Sequence, residues 1–214
     1  MSVFLDSAVL EEARQAGGYG FIVGCTTNPA LLARAGFATS VEAMKALCPL
    51  FEGTVFCQLM AHNPDEMREE AEQLMRVAGN VGLKIACGLD GLRLTAELSP
   101  RATVAVTGVF TPAQAYLSAQ AGAQYVIPYI NRITRFTGDG PGVVDAMANV
   151  LAPTTTEILA AGIKSPAEAV ESLESGAHHV SLPFEVIHAM AQNVLTEKAV
   201  ADFDAAWAAR AHTR

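Results

Sequence analysis

Short apolar runs recur along the chain, separated by longer stretches in which apolar positions return every three or four residues. The runs cover residues 3–6, 20–24, 54–59, 82–86, 103–106, 125–128, 157–161 and 179–182. Most are nearly continuous in apolar residues rather than alternating, which suits parallel strands covered on both faces. The stretches between them, such as 64–78, 111–121, 142–151 and 166–175, read as helices. Their starts are marked. Asn63-Pro64, Thr111-Pro112 and Ser165-Pro166 each set a capping side chain before a proline at the first helical position. Gly79, Gly122 and Gly176 mark the stops.

Eight strand–helix units predict an α/β chain folded as a single (β/α)8 TIM barrel spanning residues 1–214. The competing architecture, an open doubly wound sheet, would carry a glycine-rich phosphate loop after its first strand. Here Asp6-Ser7-Ala8-Val9 follows, without glycine. Beyond the eighth run, about residues 184–211, two further helices are expected, 184–193 and 197–211. Phe203 and Trp207 stand four apart on one face of the last. No strand remains for that extra C-terminal helix to cover, so it is expected to pack on a neighbouring subunit.

Composition narrows the classes. The 214 residues are 51% hydrophobic and 17% charged, with a net charge of −8. An acidic chain with 14 Lys and Arg and no basic run is unsuited to nucleic acid, because phosphate contacts need clustered cations. Mean hydropathy is +0.28, yet no uninterrupted apolar stretch has the length of a membrane span. The N-terminus carries no basic region and places Asp6 in its apolar run, unlike a signal peptide. Cys25, Cys48, Cys57 and Cys87 form no C-x-x-C pair and lie in apolar contexts, as reduced core residues of a cytoplasmic protein would.

In a barrel of this kind catalytic groups come from the C-terminal ends of strands. Polar residues in or after the runs are Asp6, Thr26-Thr27-Asn28, Gln58, Lys84, Thr107, Tyr129, Asn131, Arg132 and Lys164. Lys84 stands in Val81-Gly82-Leu83-Lys84-Ile85-Ala86-Cys87, with no acid closer in sequence than Asp90. Desolvation there would keep its amine neutral enough to attack a carbonyl. A lysine snorkelling to the rim as a structural cation fits equally. Asp6 reads either as a proton-transfer partner or as a cap for a helix from Ala8. Gln58 either orients a water or substrate or ties two strands together. Arg132 is a candidate anion clamp or a plain surface arginine. Lys164 is the second candidate amine. The five histidines, His62, His178, His179, His188 and His212, show no metal-ligand spacing and read as structural or surface residues. No dinucleotide or P-loop fingerprint is present.

Together these segments resemble the small transaldolase family, and within it the fructose-6-phosphate aldolase type. The matching pieces are Phe4-Leu5-Asp6, Gly24-Cys25-Thr26-Thr27-Asn28-Pro29, Val55 to Met60, Leu83-Lys84-Ile85, Ala121 to Ile133, Ile158 to Pro166 and Ser181-Leu182-Pro183, together with the Phe203/Trp207 helix. The resemblance implies class I aldol chemistry without metal or cofactor. It makes Lys84 the Schiff-base lysine and Asp6 the acid that contacts donor hydroxyls and assists proton transfer. It makes Thr26 and Asn28 holders of the donor end, and Gln58, Thr107 and Tyr129 the group that positions a catalytic water. Arg132 becomes the holder of an acceptor phosphate. Family transaldolases carry Glu in place of Gln58 and Phe in place of Tyr129, so the aldolase is the expected activity. Its partners would be a small ketone, dihydroxyacetone or hydroxyacetone, and an aldehyde, as free sugar or sugar phosphate. Transaldolase activity is the alternative, and a non-catalytic metabolite-binding barrel is the reading from another class. The family also implies a homo-oligomer, often a decamer built from two pentamers.

The sequence departs from the family at Ile85-Ala86-Cys87-Gly88, at Ile127 and at Gly162. Ile127 stands where relatives have Ala or Ser. It lies two residues before Tyr129 and is expected to line the same site and to favour a donor with a methyl end. Gly162 replaces a phosphate-binding serine and is expected to weaken that contact.

Overall fold

The computed structural model of the chain describes residues 1–210. Strand and helix alternate from the start: β1 (Ser2–Asp6), α1 (Leu10–Gly18), β2 (Ile22–Thr26), α2 (Pro29–Arg34), α3 (Ser40–Leu47), β3 (Val55–Gln58), α4 (Pro64–Met75), β4 (Val81–Ala86) and α5 (Leu89–Leu98). The second half continues with β5 (Val104–Val109), α6 (Pro112–Gln120), β6 (Tyr125–Pro128), α7 (Ile130–Thr137), α8 (Gly140–Leu151), β7 (Glu157–Ala160), α9 (Pro166–Glu174), β8 (His179–Leu182), α10 (Phe184–Ala191) and α11 (Val194–Arg210).

The eight strands pair in sequence order, all parallel, and β8 closes on β1 to complete a (β/α)8 barrel. The side chains of Asn63, Thr111 and Ser165 accept hydrogen bonds from the first-turn amides of α4, α6 and α9, as their sequence contexts predict. Asp6 caps nothing. Helix α1 starts later than Ala8, at Leu10, and its cap residue Val9 has no side-chain bond. This leaves the carboxylate of Asp6 free for the barrel mouth.

Two apolar clusters hold the fold. The larger fills the space between barrel and helices. The smaller lies inside the barrel and joins Phe4, Phe56, Ala105, Ile127, Leu159 and Ala161, with Tyr125 and Tyr129 packed against it. Phe56 needs a small residue opposite. A Cβ on Gly82 would stand 2.6 Å from its ring, so glycine lets the aromatic ring plug the interior. Below this plug His179 pairs with Glu157 at 3.0 Å, and Nδ1 of His178 accepts from the amide of Ile158.

Helix α11 buries none of its residues against the chain, and Phe203 and Trp207 are 73% and 70% exposed. The expected end of that helix at Ala211, and His212, lie outside the described residues. Among the described residues no helix is long and apolar enough to cross a membrane. Nor is there a group of three His, Cys, Asp or Glu side chains able to hold a metal.

Candidate active site

The strand ends and the loops after them converge on a cavity of about 750 Å3 lined by Asp6, Asn28, Gln58, Lys84, Tyr129, Arg132, Ala161, Gly162 and Lys164, among others. Seven of these were singled out as polar candidates from the sequence. They come from β1, β3, β4 and the loops or helix starts after β2, β6 and β7.

Lys84 points into the barrel and is only 3% exposed. Its Nζ donates to the carbonyl of Thr27 at 2.8 Å, a neutral acceptor that fixes the amine without sharing a formal charge. Burial lowers its pKa from the ordinary 10.5, and the nearby Asp6 carboxylate opposes the shift. Asp6 moves the other way. Burial raises its pKa, opposed by Lys84 and by the hydrogen bond from Thr26. Both shifts favour the uncharged forms. A neutral amine carries the lone pair that a nucleophile needs, while Lys84 and Thr26 oppose the loss of charge on Asp6.

Thr26 is fully buried and takes no part in the cavity wall. Its Oγ1 donates to Asp6 at 2.9 Å and lies 2.6 Å from Oγ of Ser181. It therefore orients Asp6 from behind, a placement different from contact with the donor. Asn28 does reach the cavity. Its Oδ1 accepts from the Leu31 amide and caps α2, which directs its amide NH2 elsewhere. The amide of Gln58 has no hydrogen-bond partner among the described residues, so it does not tie strands together. Oγ1 of Thr107 and Oη of Tyr129 are 2.7 Å apart. Burial raises the Tyr129 pKa, so its hydroxyl stays a proton donor through the neutral range.

Ile127 is placed differently from the sequence expectation. It faces the barrel axis as Tyr129 does, but it is fully buried in the inner cluster and does not line the cavity. Two residues along a strand span about 6.6 Å, so the same face is shared one layer deeper. Gly162 does line the cavity, with φ at +66°.

Arg132, Arg135 and Lys164 stand around the mouth, and Arg34 joins Lys164 in an adjoining recess that also touches Asp6 and Asn28. Against a net charge of −8, this ring of cations favours an anionic substrate. The guanidinium of Arg132 lies over the Tyr129 ring, 5.4 Å from its centre. Sequence reasoning missed Arg135, Arg34 and Ser181. The first two sit on helices that the apolar pattern left unmarked. Ser181 gains meaning only when closure of the barrel brings β8 and β2 to either side of β1.

The profile of the family described as transaldolase/fructose-6-phosphate aldolase matches residues 3–213. A protein of Maridesulfovibrio salexigens named "Probable transaldolase" is 37% identical over 210 residues, covering 97% of this chain and 98% of its own length. One of the same name from Geotalea uraniireducens is 32% identical over 210 residues, with the same coverage. Among solved structures, a Pediococcus acidilactici chain described as a lactate oxidase superposes with a TM-score of 0.61 at 14% identity. That match covers 86% of this chain and 62% of the other, and it speaks for the barrel fold alone.

Proposed function

The chain belongs to the transaldolase/fructose-6-phosphate aldolase family, and from that premise we propose that it is a class I aldolase whose Schiff-base residue is Lys84. The observation that carries the reading is the buried Lys84 amine, held by a neutral carbonyl beside Asp6 at the wall of a cationic cavity.

The amine adds to the carbonyl carbon of a small ketone unit. Loss of water from the carbinolamine leaves an iminium. In cleavage, Asp6 takes the proton of the hydroxyl on the carbon that leaves. The C–C bond breaks, its electron pair moves to the iminium as an enamine, and an aldehyde departs. Tyr129, with Thr107 behind it, directs a proton to the enamine carbon through a water that Gln58 also holds. Water then hydrolyses the imine, releasing the ketone and the free lysine. In synthesis the enamine attacks an incoming aldehyde instead. Asn28 holds the donor hydroxyls, and Arg132 and Lys164 hold an acceptor phosphate.

The aldolase is favoured over transaldolase by Tyr129, whose hydroxyl provides the proton that frees the ketone. Transfer between two sugar phosphates is the second reading, favoured by the names of the relatives. Ile127 bears on donor choice only through Tyr129 and Ala161, which share its cluster and line the cavity. The uncovered α11 supports a homo-oligomer, for which the decamer is the form the family resemblance implies; the four free cysteines accord with the cytoplasm.

The test is cleavage of fructose 6-phosphate by Lys84→Met and Lys164→Met. Lys84→Met abolishes turnover and Lys164→Met retains the chemical step with a raised KM. Turnover by Lys84→Met, or its loss in Lys164→Met alone, contradicts the assignment.

A further inference from the structure

Past the ends of β6 and β7, pairing continues in a single bridge, Tyr129 against Ala161. Two backbone bonds close it, from the Ala161 amide to the Pro128 carbonyl at 3.0 Å and from the Ile130 amide to the Ala161 carbonyl at 2.8 Å. Beyond the bridge the two segments part. Gly162 turns with φ at +66°, while Ile130 enters α7. No backbone hydrogen bond joins residues 131–137 to 162–168 among the described residues. Yet these segments carry Arg132 and Lys164 to the cavity wall. Neither cation has an ion-pair partner among the described residues, so the separation of their charges depends on the backbones that carry them.

Glu168 spans the gap. Its Oε1 accepts from Nδ2 of Asn131 at 2.8 Å, and its Oε2 accepts from the Lys164 amide at 2.7 Å. Asn131 directly precedes Arg132. One carboxylate therefore fastens the chain at both cations. Half of this arrangement is ordinary capping. Glu168 lies in the first turn of α9, three residues after the cap Ser165. At the same place in α3 and α6, Glu42 and Gln114 reach back to the amide before the cap, that of Ala38 at 3.1 Å and that of Phe110 at 2.8 Å. The other half is not capping. The second oxygen of Glu42 makes no further bond among the described residues, whereas that of Glu168 crosses 37 residues of sequence to another helix.

We infer that Glu168 is a positioning residue, whose bridge between Asn131 and the Lys164 amide holds Arg132 and Lys164 at the separation that grips the acceptor phosphate. The inference rests on the class I aldol reading and adds to it a residue that stands outside the cavity wall. Hydrogen bonds to a carboxylate are the strong ones, and a binding group displaced by about 1 Å can cost up to ~10²-fold. Glu168→Ala loses both bonds. Glu168→Gln can keep both, since its oxygen accepts from the Lys164 amide and its NH2 donates to Oδ1 of a turned Asn131 side chain.

The test has two arms. In the first, KM is measured for glyceraldehyde 3-phosphate and for glyceraldehyde, each with dihydroxyacetone as donor. Glu168→Ala raises KM for the phosphorylated aldehyde about tenfold, with kcat and the KM for the free aldehyde little changed. Glu168→Gln restores the wild-type preference. Glu42→Ala loses only a cap, so it lowers Tm and leaves the preference intact. Asn131→Ala, which spares the α9 cap, raises the same KM several-fold, and the double variant is no worse than Glu168→Ala. In the second arm, calorimetry follows glycerol 3-phosphate, which has no carbonyl and cannot form an imine. It binds the wild type and Glu168→Gln alike, and Glu168→Ala about tenfold more weakly. This arm reads the bridge even where borohydride traps no ketone on Lys84, a result that overturns the aldol reading alone. An unchanged phosphate preference in Glu168→Ala, an equal rise in KM for both aldehydes, or a Glu168→Gln that behaves as Glu168→Ala overturns the positioning role. So do effects of Asn131→Ala and Glu168→Ala that multiply in the double variant, and so does a wild type indifferent to the phosphate.

Discussion

Removing the Tyr129 hydroxyl separates its structural part from its chemical part. Thr107 is 1% exposed, and its Oγ1 has Tyr129 as its hydrogen-bond partner at 2.7 Å. Tyr129→Phe leaves that buried hydroxyl alone, at a typical cost of ~1–3 kcal/mol. Tyr129 borders the cavity, so a water can enter the vacated place, which puts the cost near ~1 kcal/mol. In a chain of 214 residues this lowers Tm by about 2–4 °C. The double variant Thr107→Val/Tyr129→Phe removes both polar groups and returns most of that stability. The chemistry does not return with it. Loss of a positioned proton donor costs ~10²–10⁴-fold in the step it serves. That step is protonation of the enamine, so release of free ketone falls far more than transfer to an added aldehyde. The assay couples ketone release to one indicator enzyme and follows transfer by chromatography of the new sugar phosphate. A parallel fall in both rates, or recovery of ketone release in the double variant, refutes the assignment of Tyr129 to proton delivery.

Asp6→Asn keeps an acceptor for Thr26 but cannot carry a proton; kcat falls ~10²–10⁴-fold while borohydride trapping at Lys84 persists, and loss of trapping would instead give Asp6 a role in holding the lysine. Gly162→Ser places its Cβ at an ordinary 3.5 Å from Tyr129, but φ at +66° costs ~1–2 kcal/mol. We expect a lower Tm together with a lower KM for glyceraldehyde 3-phosphate and little change for glyceraldehyde; equal shifts for both would remove the phosphate contact from this position. The lowered pKa of Lys84 means the folded chain binds fewer protons there than the unfolded chain. Stability from this site therefore rises with pH between the folded pKa and 10.5. The difference in urea stability between Lys84→Met and wild type should accordingly narrow as pH rises toward that value, and a difference independent of pH would contradict the shift.

Much of this architecture is visible in the chain because buried parallel strands leave unbroken apolar runs, and because Asn, Thr and Ser before proline mark helix starts. Boundaries moved where backbone geometry intervened. The second run was drawn from Gly20, yet Gly20 turns with φ at +76° and β2 begins at Ile22. Lys84 stood out because a charge inside an apolar run needs a reason. Asp6 did not, since a cap and a catalytic acid look alike until the helix start is seen at Leu10. Depth was the property least legible. Periodicity puts Ile127 and Tyr129 on one face but says nothing of the layer each occupies, and it cannot tell that Thr26 stands behind Asp6 rather than before the substrate. Arg135 and Phe136 give no signal in the sequence, because a cation and an aromatic ring in α7 fit an ordinary surface helix as well as a cavity wall.

The most direct test of the account is the position of the covalent adduct. The protein is incubated with dihydroxyacetone, reduced with borohydride, digested and mapped by mass spectrometry. The account predicts one modified peptide, carrying the reduced ketone on Lys84. An adduct on Lys164, or no adduct in an active preparation, would contradict it.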